Sequence, residues 1–206
     1  MGAELARAVA ATSPWEGLAV LLAVAYLLLA ARGHIACWAC ALVSTAIYTA
    51  LFWNVSLMME SALNVYYMLM ALYGWQQWRH GGEDGRGAAI SSWGWQWHVL
   101  VIGGVTVVAL CSGYLLAEHT RAAWPYIDSF TTWGAVVTTF MVARKVLENW
   151  IYWFVLDAIS IPLYLERGLV LSALLFAVYL VIVCFGYVEW RRQYVQVIGY
   201  APRRSA

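Results

Sequence analysis

Apolar residues in this chain come in long blocks, each closed by a small cluster of charged or turn-forming residues. Seven such blocks fall at roughly 15–31, 35–53, 57–78, 96–117, 126–143, 146–165 and 168–190. Each has about the 17–25 residues that a helix needs to cross the hydrocarbon core of a bilayer. They are too long and continuous for barrel strands, and a helix pairs its backbone groups internally, as lipid demands. Arg32-Gly33-His34 and Arg79-His80-Gly81-Gly82 are typical of the breaks. The pattern predicts an all-α polytopic membrane protein with seven transmembrane helices.

Composition agrees. Of the 206 residues, 64% are hydrophobic and 11% charged, whereas a soluble domain is about one quarter charged. Mean hydropathy is +0.70. Tryptophan clusters near the block ends, at Trp15, Trp53, Trp75, Trp78, Trp93, Trp95, Trp97, Trp124 and Trp190, where an interfacial aromatic belt belongs. Residues 1–14 lack the basic and apolar regions of a cleavable signal, so the first block is expected to remain as a span. A net charge of +1 argues against a nucleic-acid surface. Cys37-x-x-Cys40 has metal or redox spacing, but no second ligand pair follows it, and no His-x-x-x-His pair exists. No metal and no cofactor are expected, and the lipid bilayer is the expected environment.

Basic residues set an expected orientation. Nine of them (Arg32, Arg79, Arg86, Arg144, Lys145, Arg191, Arg192, Arg203 and Arg204) fall on the side of the C-terminus, against Arg7, Arg121 and Arg167 on the other. Positive-inside counting then puts the C-terminus in the cytoplasm and the N-terminus outside. The Gly-rich loop 79–95 would be a flexible cytoplasmic connector.

The chain also repeats itself. Leu57, Tyr67, Gly74, Trp78 and Arg79 match Leu169, Tyr179, Gly186, Trp190 and Arg191 at an offset of 112. Ser44-x-x-x-Tyr48 matches Ser160-x-x-x-Tyr164 at an offset of 116, as if one helical turn were missing before the seventh span. The expected organisation is a three-helix repeat at 15–79, a loop and linker helix at 80–122, a second three-helix repeat at 123–192 and a tail at 193–206. A single linker span makes the repeats parallel, an architecture that in transporters places the substrate site at the midplane between the halves.

Polar residues inside these spans are the candidate chemistry, because each costs a few kcal/mol at that depth unless it has a partner. In the sixth span Trp150, Trp153, Asp157, Ser160 and Tyr164 share one helical face. Two indoles and a carboxylate suit the wall of a site for a flat, polar molecule. Asp157 reads either as a substrate ligand or counter-charge, or as a buried acceptor for hydroxyls on neighbouring spans. Asn149 reads as a ligand or a helix cap. The third span has a second polar face at Glu60, Asn64, Tyr67, Ala71, Gly74 and Trp78. Asn64 and Tyr67 are candidate ligands, as are Tyr179, Thr138, Thr139 and Ser44. Glu60 and Asp128 are candidate gate residues. Phe176 stands where the first half has Asn64, so the halves are chemically unequal. Small residues at Gly17, Gly103, Gly104, Gly134 and Gly186 permit close helix approach, and Pro162 is expected to kink the sixth span.

Several of these residues resemble the PnuC family of bacterial vitamin transporters. Residues 144–157 read Arg-Lys-x-x-Glu-Asn-Trp-x-x-Trp-x-x-x-Asp, similar to a signature of that family. Tyr-Gly-Trp-x-x-Trp-Arg at 73–79 and Pro125-Tyr126-x-Asp128 are similar too, and the resemblance covers about residues 15–192. It implies a three-plus-one-plus-three fold related to SWEET sugar transporters, assembled as a homotrimer. It also implies facilitated diffusion of nicotinamide riboside, trapped inside by phosphorylation and feeding NAD biosynthesis. Nicotinamide riboside has a cationic aromatic ring, and a cation over Trp or Tyr gains about 0.5–2 kcal/mol. Thiamine, riboflavin or a sugar on the same fold is the alternative cargo. A retinal protein is excluded because the one lysine, Lys145, sits at a span edge. Protease and hydrolase motifs and a P-loop are absent, so no enzyme and no ATP use is expected.

Overall fold

In the computed structural model, residues 13–54, 56, 58–82, 85–120, 124–166 and 170–200 are described. Seven α-helices account for nearly all of them: α1 Pro14–Ala31, α2 Cys37–Asn54, α3 Met58–His80, α4 Trp95–His119, α5 Pro125–Ala143, α6 Asn149–Glu166 and α7 Val170–Tyr200. Of the orientation markers, Arg7, Arg121, Arg167, Arg203 and Arg204 lie outside the described residues. So do Leu57 and Leu169 of the repeat.

The chain divides into two packing units, Met1–Ala89 and Ile90–Ala206. In the first, α2 packs against both α1 and α3. In the second, α4 leans on α5, α5 on α6, and α6 on α7. The linker helix α4 therefore belongs with the second three-helix unit. Its contact with α5 runs through Gly113, where an added Cβ would lie 2.6 Å from the Tyr126 ring. The Trp133 indole N–H donates to Ser112 Oγ at 3.1 Å across the same seam.

Burial is inverted relative to a soluble protein, which is the mark of a lipid-facing surface. On α6, Ile151, Phe154, Val155 and Leu165 are exposed while Asn149, Asp157 and Ser160 are buried. Four helices are apolar enough by themselves to cross a membrane: α1, α2, α4 and the Ser172–Gln196 part of α7. The other three, α3, α5 and α6, carry most of the predicted polar positions, and those residues lower their hydropathy.

The repeat runs at a single offset. Helices α2 and α6 start 112 residues apart, as do α3 and α7, and α1 and α5 both end on Ala31 and Ala143 at the same spacing. The turn from α1 to α2 and the turn from α5 to α6 coincide bond for bond. Gly33 N–H donates to the Ala30 carbonyl and Lys145 N–H to Val142, while His34 N–H donates to Leu29 and Val146 N–H to Met141. Gly33 takes φ 69° and Lys145 φ 52°, so a lysine occupies the left-handed position that glycine fills in the first unit. This corrects the offset of 116 read from the Ser-x-x-x-Tyr pairs: no helical turn is missing.

Three expectations change. The tail at 193–206 is helical as far as Tyr200, and Ala201–Ala206 lies outside the described residues. The helix runs past Trp190 without a break, and the Gln193 Nε2 to Glu189 Oε1 bond of 2.9 Å braces its next turn. Of the tryptophans read as anchors, Trp15, Trp53, Trp75, Trp95, Trp97 and Trp124 are exposed as a belt requires, but Trp78 and Trp190 are buried. Of the glycines, Gly134 and Gly186 do meet a neighbouring helix, whereas Gly17, Gly103 and Gly104 have nothing within 4 Å.

Candidate functional site

The second unit builds its polar face on α6. The turn after α5 reverses the chain at Lys145, and Asn149 begins the helix with its Nδ2 donating back to the Val146 carbonyl at 2.6 Å. Asn149 is fully buried and its Oδ1 has no partner among the described residues. Trp150 follows, with its ring laid over Gly186 of α7 and edge-on to Trp190 at a centroid distance of 5.4 Å and an interplanar angle of 87°. In the first unit Trp38 lies over Gly74 and meets Trp78 at the same distance and angle. Trp150 is thus half of a packing clasp that both units share, and the indole N–H of Trp38 in one clasp and of Trp150 in the other is buried without an acceptor among the described residues.

One turn further, Trp153 is half-buried, and Asp157 follows four residues on at 4% exposure. No hydrogen bond or ion pair reaches the Asp157 carboxylate among the described residues. Four hydroxyls of α5 and α6 are engaged within their own helices. Thr138 donates to the Gly134 carbonyl, Thr139 to Ala135, Thr131 to Ile127, and Ser160 to Leu156, each within its own helix. Such i−4 bonding is the usual habit of Thr and Ser in apolar helices. Leu156, beside Asp157 in sequence, fits against Gly134, where an added Cβ would lie 2.6 Å from its Cδ2. Helices α5 and α6 therefore approach closely at this level. On α7, Tyr179 is half-buried and its ring lies 5.6 Å from Phe176, which in turn meets Tyr164 at 5.0 Å. Asp128 is half-buried in the first turn of α5.

The first unit has its own polar face on α3, graded along the helix. Glu60 is exposed in the first turn, Asn64 and Tyr67 are half-buried, and Ala71, Gly74 and Trp78 are buried. Asn64 Nδ2 donates to the Glu60 carbonyl at 2.9 Å, leaving its amide oxygen available. The Tyr67 ring lies 5.6 Å from that of Tyr66. Ser44 is buried at the seam of α1 and α2, where its hydroxyl donates to the Ala19 carbonyl at 2.8 Å. That bond joins two helices, so Ser44 has a structural task beside the candidacy given to it above.

Residues 88–93 of the loop at 79–95 are held by hydrogen bonds, where its glycines suggest a slack connector. Ser91 forms a parallel bridge with Val146: its N–H donates to the Lys145 carbonyl at 3.0 Å and its carbonyl accepts from Leu147 N–H at 2.8 Å. Glu148 accepts from the Ser92 hydroxyl and, at 3.2 Å, from the Trp93 N–H. His98 Nε2 is 4.0 Å from the same carboxylate, and its Nδ1 is 2.9 Å from the Tyr152 hydroxyl. This cluster and the packing of Trp38 are contacts that periodicity alone does not reveal. Trp38 was nonetheless legible, since it precedes Trp150 by the offset of Gly74 to Gly186.

Two cavities open on the apolar side of α5 and α6. One of about 530 Å³ is lined by Trp124, Ile127, Phe154, Pro162 and Leu163 with Glu166 at its edge, and one of about 270 Å³ by Ile102, Phe130, Val137, Tyr152 and Leu156. None of the predicted ligands lines either.

Comparison with known proteins follows the same lines. A family model described as nicotinamide mononucleotide transporter matches residues 13–192. The riboflavin/roseoflavin transporter RibM of Streptomyces davaonensis is 27% identical over 144 residues, 66% of this chain and 67% of that protein. The nicotinamide riboside transporter PnuC of Escherichia coli is 18% identical over 152 residues, 62% of this chain and 64% of that protein. The chain thus aligns with about two thirds of the length of these relatives. The crystal structure of the vitamin B3 transporter PnuC superposes with a TM-score of 0.67 at 21% identity, covering 95% of this chain and 88% of that one.

Proposed function

The chain belongs to the nicotinamide mononucleotide transporter family, and from that premise we propose that it carries nicotinamide riboside into a bacterial cell by facilitated diffusion with alternating access. The family and the fold are those of a transporter rather than an enzyme. The observation that carries the cargo assignment is Asp157, a buried carboxylate without a partner among the described residues, one turn beyond the half-buried Trp153. A planar cation answers both: the indole face takes the ring and the carboxylate balances its charge. Within the second unit, Asn149, Thr138, Thr139 and Tyr179 supply amides and hydroxyls for the carboxamide and the ribose; Asn64 and Tyr67 are the candidate ligands of the first unit, taken by itself. Glu60 and Asp128, each in the first turn of its helix, serve as gates. Cytoplasmic phosphorylation of the cargo makes uptake one-way and feeds NAD synthesis. The protein works in the bacterial inner membrane as a homotrimer, with its N-terminus outside and its C-terminus in the cytoplasm.

A second reading rests on the 27% identity to RibM. On it the cargo is riboflavin, a neutral isoalloxazine with a chain of hydroxyls. Titration of intrinsic tryptophan fluorescence in the purified protein separates the two. Nicotinamide riboside is expected to quench saturably and riboflavin and thiamine not, and Trp153→Ala is expected to weaken binding about tenfold, as loss of one desolvated cation–aromatic contact would. Saturable binding of riboflavin alone would transfer the assignment to the second reading.

Pro162 lies inside α6 one turn beyond Asp157, and the helix continues past it to Glu166. Proline leaves a carbonyl unpaired in the turn before it, which softens the helix there. Pro162→Ala is expected to slow uptake at unchanged expression. Uptake at the wild-type rate would remove Pro162 from the transport cycle.

A further inference from the structure

The connector between the units is fastened at both ends. At its start, Ala88 N–H donates to the Gln77 carbonyl in the last turns of α3 at 3.0 Å. Gly87, at φ 101°, passes so close to the Trp78 carbonyl that an added Cβ would lie 2.6 Å from the oxygen. At its end, Ser91 bridges to Lys145 and Leu147, and Glu148 holds Ser92 and Trp93. Two residues, Ala89 and Ile90, lie between the fastenings, and the boundary between the packing units falls between them.

Glu148 is the centre of the second fastening. Its carboxylate takes the Ser92 hydroxyl on one oxygen and the Trp93 N–H on the other, the arrangement in which an ionised acceptor binds most strongly. His98, with its other nitrogen on Tyr152, closes the cluster from α4 and α6. The corresponding position in the first unit is Ala36, which offers no carboxylate, although the turn around it is otherwise duplicated. The fastening is therefore an addition to the repeat. It sits immediately before Asn149, at the start of the helix that bears Trp153 and Asp157.

We propose that Glu148 is a positioning residue for transport: it fastens the connector to the start of α6, so that Ala89 and Ile90 are the hinge about which the two units move. The proposal rests on the transport reading given above. A short hinge between rigid fastenings converts motion of one unit into motion of the other, whereas a long slack loop absorbs it.

The test uses the full-length protein in three measurements. Amide exchange in detergent or nanodiscs reads the fastening itself: the N–H groups of Ser91, Trp93 and Leu147 are expected to be protected. Glu148→Ala is expected to speed exchange of the Trp93 amide about tenfold or more. Inserting about eight Gly/Ser residues between Ala89 and Ile90 leaves both fastenings intact and slackens only the hinge. This insertion is expected to lower the maximal uptake rate about tenfold while the dissociation constant of nicotinamide riboside stays within about twofold.

Three results would overturn the proposal. They are full protection of Trp93 in Glu148→Ala, wild-type uptake with the insertion, and loss of cargo affinity in step with rate. If the wild-type protein takes up no vitamin at all, it is the transport reading that fails, and amide exchange still decides whether Glu148 holds the connector.

Discussion

Asp157→Asn is expected to act in opposite directions on two measurements. Binding of nicotinamide riboside weakens by about 3 kcal/mol, or roughly 100-fold, because a buried cation loses its counter-charge. Thermal stability of the empty protein rises, because a buried carboxylate that no described residue hydrogen-bonds is replaced by a neutral amide of the same shape. Thr138, Thr139, Thr131 and Ser160 all give their hydroxyls to their own helices, so no internal partner is lost. The second direction separates the two roles left open by the sequence. Were Asp157 a structural acceptor for neighbouring hydroxyls, the substitution would lower stability as well as binding. Natural binding sites often hold such destabilising groups, and stability regained at the expense of function is their signature.

The same variant sorts the cargo. Riboflavin is neutral and would lose one hydrogen bond, about 1 kcal/mol. A 100-fold loss for the riboside against a severalfold loss for riboflavin marks a counter-charge site. Equal, small losses for both would count against the cationic cargo and in favour of the flavin.

Much of this was legible from the chain. Helix starts on α1, α4 and α5 fall within one residue of the expected ends, because Pro14, Gly94 and Pro125 mark them chemically as well as by hydropathy. The inward face of α6 followed from spacing alone, since in lipid a face with Asp, Ser and Asn has nowhere else to point. What spacing does not show is which polar atom a side chain reaches. Thr138 and Asp157 look alike as buried polar residues, and only geometry separates a satisfied hydroxyl from a free carboxylate. Glycine misled in the same way. Loop 79–95 is rich in it and yet is bound at both ends, because glycine there serves close approach, as at Gly87, as well as freedom. Trp78 and Trp190 read as anchors from the sequence because they sit at span ends, where position favours the interface. Their burial depends on a glycine four residues earlier on the same helix and on a tryptophan from another, and that three-residue pattern is visible only across both repeats.

That pattern carries the second large effect. Gly186→Ala is expected to destabilise the protein by about 1–3 kcal/mol, as overpacking of a rigid contact does, and to lower the melting temperature by about 2–4 °C for each kcal/mol in a chain of this size. The new Cβ would stand 2.8 Å from the Trp150 ring. That ring is fully buried and held edge-on by Trp190, so it has no open side into which to retreat. Gly74→Ala meets Trp38 in the same way in the first unit and is expected to cost as much. Gly103→Ala and Gly104→Ala are the controls. Nothing lies within 4 Å of either position, and alanine there should be neutral or gain up to about 1 kcal/mol of helix propensity. Shrinking the partner ring should rescue the damage. Trp150→Leu with Gly186→Ala is expected to be less destabilised than the sum of the single variants, because the two share one contact. Additive losses, or a Gly186→Ala protein as stable as Gly103→Ala, would show that the clasp does not hold α6 to α7. Trp150 would then return to the list of residues free to meet the cargo.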